Sequence, residues 1–297
     1  MDTCAVVVTY NRSELLKECI NAINNQTEPV KHIVIVNNAS TDDTRQYLDS
    51  LNDSKYIIFN SENNLGGAGG FNNGLKIAYN ETQDANFWLM DDDTVVQEDC
   101  NKQLLDARRR FDVSFLISNV RWKDGSPANV MTPADDWPIL IDDGLVKVNY
   151  GSFVSYSISR DLVEKNGFPI ADMFIWGDDS EFSLRVSRDY PGYFVSSAKA
   201  IHKSKSNSVA SGIESDSVER INRYYYLYRN SMYTKRKYGT KIEPYNEIFK
   251  ALKKVVKIFI VSDKKFKRVK AVLSGIFAGV VFNPKIEMPD SNNEKET

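Results

Sequence analysis

Residues 87–93 read Phe87-Trp88-Leu89-Met90-Asp91-Asp92-Asp93. Four consecutive apolar side chains run straight into three carboxylates. A short unbroken apolar run suits a strand buried on both faces, as in a parallel sheet. Upstream, Ala5-Val6-Val7-Val8, Ile33-Val34-Ile35-Val36 and Tyr56-Ile57-Ile58-Phe59 have the same form. Helical patterns separate them. Leu15, Leu16, Cys19, Ile20 and Ile23 recur at helical spacing, and further helices are expected to about Leu51 and over Phe71–Tyr79. Asn11 with Glu14, and Ser40 with Asp43, stand at capping-box separation. Strands alternating with helices predict an α/β fold with a mostly parallel sheet.

In such sheets ligands bind beyond the carboxyl ends of the strands. Those ends carry Thr9-Tyr10-Asn11-Arg12, Asn37-Asn38-Ala39-Ser40, the Gly-rich stretch Asn63–Gly70 and Asp91-Asp92-Asp93. Every polar cluster of the first hundred residues therefore falls where the fold presents a ligand.

Further on, Val113–Val120, Lys147–Ile158 and Tyr193–Val195 read as strands, 121–145 as a long loop and Asp179–Arg188 as a short helix. The Ser-rich residues 203–217 read as a mobile loop. From Ser217 to about Tyr238 the chain looks helical and is crowded with Tyr and Arg. One apolar helix face follows in Ile248, Phe249, Leu252, Val255, Val256, Phe259 and Ile260, with lysines off the stripe. A second carries Phe266, Val269, Leu273, Ile276, Phe277 and Val280. The expected organisation is a catalytic domain over 1–216, with halves at about 1–110 and 111–216. A helical region over 217–288 and a disordered tail over 289–297 follow.

The 297 residues carry 38 Lys+Arg against 40 Asp+Glu, a near-neutral balance that argues against nucleic-acid binding by the whole protein. The three cysteines, Cys4, Cys19 and Cys100, have no zinc spacing and suit a reducing compartment. The start lacks the basic n-region of a signal peptide, and no run of about 18 apolar residues exists. A cytoplasmic location is expected.

Three adjacent carboxylates repel one another, and a divalent cation with hard oxygen ligands, Mg²⁺ or Mn²⁺, relieves that repulsion. Residues two apart at a strand end face the same way, so Asp91 and Asp93 can address one site. A solvated loop of helix-capping acids is the alternative. The Gly-rich stretch allows close backbone approach to an anion but is not a Walker A, since no Gly-Lys-Ser/Thr follows; a tight turn would also explain it. Phe174-Ile175-Trp176-Gly177-Asp178-Asp179-Ser180-Glu181 places acids at a helix start, either as dipole caps or as a general base beside an aromatic platform for a sugar. His202, one of two histidines, could close over a metal site; His32 is expected at the opposite end of the sheet.

The order and spacing of these segments resemble family 2 glycosyltransferases of the GT-A fold, over about residues 3–240. The segments are Val7–Arg12, Val36–Asp42, Asn64–Phe71, Asp91–Asp93, Trp176–Glu181 and His202. The Asn-Leu-Gly-Gly-x-Gly-Gly-Phe stretch with the two acidic clusters is most similar to galactofuranosyltransferases, with bacterial rhamnosyltransferases close relatives. The resemblance implies a Rossmann-like sheet flanked by helices, with a C-terminal helical extension. It implies that Thr9, Asn11, Arg12, Asn37, Asn64, Gly66, Gly67 and Asp92 meet a nucleotide-sugar donor. It makes Asp91, Asp93 and His202 the ligands of Mn²⁺ or Mg²⁺, Asp179 the base with Asp178 beside it, and Trp176, Asp178 and Glu181 the border of the acceptor site. The implied reaction is an inverting transfer to a glycan or lipid-linked glycan.

Two departures stand out. Asn37 replaces the Asp common in the family, and Gly177 separates Trp176 from the acidic pair. A nucleotidyltransferase would need a Gly-rich first loop with a basic residue, and Thr9-Tyr10-Asn11-Arg12 lacks those glycines. A non-catalytic sugar-nucleotide-binding or scaffold protein is the reading of another class, against which the joint presence of Asp91, Asp93, Asp179 and His202 argues. The basic C-terminal helices are expected to dock at the inner face of an anionic membrane, or to pack as a helical hairpin on the protein or in a homo-oligomer.

Overall fold

Strand β1 (Thr3–Thr9) is buried at every position, as its unbroken apolar run requires. In this computed structural model, which describes residues 1–205, 207 and 212–290, it lies between two parallel neighbours. These are β2 (His32–Asn37) and β4 (Asn86–Asp91), and β3 (Tyr56–Asn60) extends the sheet beyond β2. Side chains alternate between two cores. Ala5, Val7, Ile33, Ile35, Trp88 and Met90 pack to one side, and Val6, Val8, Val34, Val36, Phe87 and Leu89 to the other.

Helix α1 (Ser13–Asn24), α2 (Thr44–Asp49) and α3 (Gly66–Glu81) make the connections, and α4 (Cys100–Arg110) leads on toward the second half of the sheet. The expected capping boxes do not form, because each loop caps its neighbour instead. Asp42 Oδ2 accepts from the Ser13 N–H at 3.1 Å, Ser40 Oγ from the Asn11 N–H at 3.0 Å, and Asn11 Oδ1 from the Thr41 N–H at 2.7 Å. Helix α3 begins five residues earlier than expected: the Gly-rich stretch is its first turns. A Cβ at Gly70 would stand 2.5 Å from Val8 Cγ1, and one at Gly74 2.5 Å from Val6 Cγ1. These glycines let the helix lie close on the sheet.

The expectation of a mostly parallel sheet holds over these four strands and gives way beyond them. The further strands are β5 (Thr94–Val96), β6 (Phe115–Trp122), β7 (Leu145–Val148), β8 (Tyr156–Ser159) and β9 (Gly192–His202). The order is β3-β2-β1-β4-β8-β6-β9-β5, with β7 also on β9. Strand β8 is antiparallel to β4 and β6, and β9 is parallel to β6 but antiparallel to β5 and β7. The strand expected over Lys147–Ile158 is two, split between β7 and β8. The one expected over Tyr193–Val195 continues to His202 through a bulge where Ser118 pairs Val195 but Asn119 pairs Lys199.

Helices α5 (Arg160–Asn166) and α6 (Asp178–Val186) precede β9, and α7 (Arg223–Tyr238), α8 (Glu243–Val261) and α9 (Lys265–Val281) follow it. Helix α9 packs on α7 through its glycines. Its small residues face inward: a Cβ at Gly275 would lie 2.6 Å from the Tyr225 carbonyl, and one at Gly279 2.6 Å from that of Arg229, so α9 lies close on α7. Phe266, Leu273, Phe277 and Val280 are left exposed. The expectations of a mobile loop at 203–217 and a disordered tail at 289–297 fall partly on 206, 208–211 and 291–297, outside the described residues. No helix among the described residues is long and apolar enough to cross a membrane.

Candidate active site

Pairing of β5 with β9 sets Thr94 opposite His202, and the Lys203 N–H donates to the Asp93 carbonyl at 2.7 Å. This brings together groups 109 positions apart in sequence: His202 Nε2 lies 3.0 Å from Asp93 Oδ1. Asp91 joins them from the end of β4, and the ligand atoms of Asp91, Asp93 and His202 all lie within 4.8 Å of one another. The other imidazole nitrogen, Nδ1, is 2.8 Å from Asn129 Oδ1, which orients the ring. Burial pushes the Asp91 carboxyl up to about 7, with the Asp93 charge adding to it. Burial also acts to raise Asp93, but the bond to His202 and the charges of His202 and Arg12 outweigh it and hold it low. Buried Asp93, half-buried Asp91 and an imidazole in this span fit a divalent cation, and the imidazole suits Mn²⁺ better than Mg²⁺.

Asp92 turns away from that cluster. Its Oδ2 accepts from Thr9 Oγ1 at 2.8 Å and the Tyr10 N–H at 3.2 Å, and its Oδ1 from Arg12 Nη1 at 3.0 Å. The same guanidinium nitrogen is 2.5 Å from Asp93 Oδ2. Asp92 is 3% exposed, and burial pushes it up to about 6. It braces the first loop and, unlike Asp91 and Asp93, does not line the neighbouring cavity, which departs from the expectation that it meets a ligand directly.

The second acidic pair opens α6 behind a contorted segment. Phe174, Trp176 and Gly177 have φ of 62°, 63° and 95°. The two non-glycine residues each cost about 1–3 kcal/mol unless surroundings hold them. Asn230 on α7, fully buried, does so: its Nδ2 donates to the carbonyls of Met173 at 2.9 Å, Ile175 at 3.3 Å and Trp176 at 2.7 Å. The Ala68 N–H donates to the Phe174 carbonyl at 3.1 Å, and a Cβ at Gly66 would stand 2.0 Å from that oxygen. Gly66 therefore serves the 174–177 segment. Burial raises Asp179, against hydrogen bonds from Ser180 and Ser152. Asp178 stands well above the usual carboxylate range, through burial first and the Asp179 charge second.

One cavity of about 740 Å³ joins the clusters: Asp91, Asp93 and His202 line it together with Trp176, Asp178 and Asp179. Arg12 and Gly67 also line it. Trp176 stands edge-on to Tyr224, with centroids 5.2 Å apart. Asn37 does not reach the cavity: it is 3% exposed, donates to Asn60 Oδ1 at 2.8 Å and accepts from the Ser40 N–H at 3.1 Å. Asn64 Oδ1 accepts from the Gly66 N–H at 2.8 Å, and Asn11 is spent on Thr41, so both shape loops. Thr9 is taken by Asp92. Glu181 is the clearest correction. It is fully buried, paired with Arg185 at 2.9 Å and Tyr238 Oη at 2.5 Å, and does not line this cavity.

Sequence reasoning missed Asn129, Ser152, Arg220 and Arg223, which line the same cavity, and Asn230 behind it. The crowding of Arg and Tyr after Ser217 was a visible signal, but periodicity does not say which of them face a site. His32 sits at the far end of the sheet as expected, its Nδ1 2.7 Å from Asp84 Oδ2.

The chain is similar to known glycosyltransferases. The chain is 38% identical over 213 residues to Galactofuranosyltransferase GlfT1 of Mycolicibacterium smegmatis, covering 62% of this chain and 65% of that protein. It is 29% identical over 126 residues to Glycosyltransferase GlyG of Streptococcus pneumoniae, covering 42% and 40%. The chain thus spans less than two thirds of the length of these relatives. Among solved structures, GalNAc-T7 with UDP, GalNAc and Mn²⁺ superposes with a TM-score of 0.63 at 13% identity, covering 91% of this chain and 54% of that one. S. aureus TarS residues 1–349 with UDP superposes at 0.59 and 14%, covering 94% and 89%. The fold is GT-A. The family described as Glycosyl transferase family 2 matches residues 4–157, just over half of the sequence, and the matched part ends its fourth strand on Asp91-Asp92-Asp93. The chain belongs to glycosyl transferase family 2.

Proposed function

We propose that this protein is an inverting glycosyltransferase that moves galactofuranose from UDP-galactofuranose to a hydroxyl of a growing, lipid-linked cell-surface glycan. One observation carries the reading: a single cavity is walled both by the Asp91, Asp93 and His202 cluster and by the Asp178 and Asp179 pair. The name of the 38% identical relative supports the choice of sugar. Mn²⁺ or Mg²⁺ held by Asp91, Asp93 and His202 would supply Lewis-acid stabilisation of the departing diphosphate. Arg12, Arg220 and Arg223 line the same cavity and suit an anionic leaving group. Asp179 takes the acceptor proton as the acceptor oxygen attacks the anomeric carbon and the bond to the diphosphate oxygen breaks. Attack from one face with no enzyme nucleophile inverts that carbon. Asp178 and Trp176 position the acceptor.

Nucleotide release from a panel headed by UDP-galactofuranose and dTDP-rhamnose tests this. Release from UDP-galactofuranose with Mn²⁺, abolished by EDTA, is expected. Metal affinity should fall as the pH drops below about 7, because protons then compete for Asp91. Release from dTDP-rhamnose instead would replace the donor, and absence of any sugar-nucleotide binding would sink the transferase reading.

The C-terminal helices support docking at the cytoplasmic face of an anionic membrane. Phe249, Leu252, Val256 and Phe259 on α8 and Phe266 and Phe277 on α9 are exposed, and Phe259 meets Phe266 edge-on with centroids 6.4 Å apart. Lys250, Lys253, Lys264, Lys267 and Lys270 lie exposed on the same two helices and the turn between them. Apolar insertion flanked by lysines is the pattern of an interfacial helix pair. In low-salt sedimentation with phosphatidylglycerol vesicles the protein should pellet. F259D/F266D should lose at least tenfold in partitioning while still binding UDP. Equal pelleting of both forms would remove the membrane reading.

A further inference from the structure

We propose that a second cavity beside the catalytic acids binds the sugars that precede the reacting hydroxyl of the acceptor, so that the substrate is a neutral oligosaccharide of at least two units. The proposal rests on the transferase reading and assigns a site which that reading leaves unused. The second cavity holds about 640 Å³, within the range of small-molecule sites. It shares Gly177 and Leu227 with the cavity that contains Asp179, so the two adjoin at the start of α6. Ser180 lines its near end, and its Oγ lies 3.2 Å from Asp179 Oδ1. A chain of sugars with its terminal hydroxyl at Asp179 would therefore enter the second cavity between Gly177 and Leu227, which line both.

The lining sets the chemistry. Thr132, Asn149, Tyr150, Ser231 and Thr234 line it with hydroxyl and amide groups, which can exchange hydrogen bonds with sugar hydroxyls, Ser231 as an acceptor because its proton goes to Glu247 at 2.7 Å. Tyr150 adds an aromatic ring beside them, its Oη 3.2 Å from Thr132 Oγ1. The charged lining residues, Lys235 and Glu243, pair with each other at 2.7 Å, leaving no net charge for a phosphate. The first cavity has the opposite character, with metal-ligating acids facing three arginines. Charged donor and neutral acceptor thus have separate walls on either side of the base.

Thr234→Trp would fill the second cavity without touching the acids, and Asn149→Ala would remove one amide from it. The probes are octyl glycosides of one, two and three sugars in galactosyl and rhamnosyl series, with the Mn²⁺-loaded full chain and the donor it releases. In the wild type kcat/KM should rise about tenfold, or about 1.4 kcal/mol, from one sugar to two. Thr234→Trp should abolish the rise and Asn149→Ala should reduce it severalfold, with one-sugar transfer and UDP binding unchanged within about twofold. No rise in the wild type, a rise that survives both variants, or an equal fall with one sugar would overturn the proposal. Calorimetry of the sugar nucleotide on the wild type separates the two readings: without donor binding it is the transferase reading that fails.

Discussion

Asp179→Asn should lower the transfer rate by about 10²–10⁴-fold, the span that a positioned general base contributes. Asn keeps the shape and the hydrogen bonds from Ser180 but cannot take a proton. Donor binding and the melting temperature should stay near wild type, because the metal ligands and arginines are untouched. The wild type adds a pH signature. Burial raises Asp179, so its basic form is lost at a higher pH than for an exposed aspartate. The wild-type rate should therefore fall on acidification through that raised value, and the residual rate of the variant should lack this limb. If the variant kept more than a tenth of the activity while Asp178→Asn did not, the base would be Asp178.

Asn230→Leu carries the second large effect, and it acts at a distance from the chemistry. The carbonyls of Met173, Ile175 and Trp176 share the Asn230 amide as donor. Leu fills the space and donates nothing. A buried polar group left unpaired costs about 1–3 kcal/mol, to which the strain at Phe174 and Trp176 adds. The segment should relax and carry the start of α6 with it. A displacement of about 1 Å at a reacting group can cost about 10²-fold in rate. We expect kcat to fall by that order with donor KM little changed, together with lower stability in urea. Unchanged kcat in a folded variant would mean that the Ala68 contact to Phe174 and the Arg229 contact to Asp172 hold the segment alone.

The first half of the fold was legible because its signals are local. Each strand of β1 to β4 carries an unbroken apolar run, which a strand buried on both faces needs and which the half-buried edge strand β3 shares. The second half was not. Strands β5 and β7 are three and four residues long, and β9 carries a bulge, so no period identifies them. Antiparallel pairing of β8 depends on where a distant segment returns, which no window of residues records.

The site divides along the same line. Sequence alone determined its chemical inventory: acids ending β4, acids opening α6, and a lone histidine before a Ser-rich stretch. It also placed the acids ending β4 at one edge of the sheet with the first loop and the Gly-rich stretch, since the carboxyl ends of parallel strands share an edge. Tertiary structure decided which members face the cavity. Asp92 and Glu181 carry the same carboxylate as Asp91 and Asp179, yet one braces Arg12 and Thr9 and the other is sealed against Arg185 and Tyr238. Likewise Asn129, Arg220, Arg223 and Asn230 gain their places from a loop and helices that fold back over the sheet. The physical reason is that composition and periodicity specify what a side chain can do and which face of its own element it takes. Its partners come from segments far along the chain, and only the packed fold brings those within hydrogen-bonding distance.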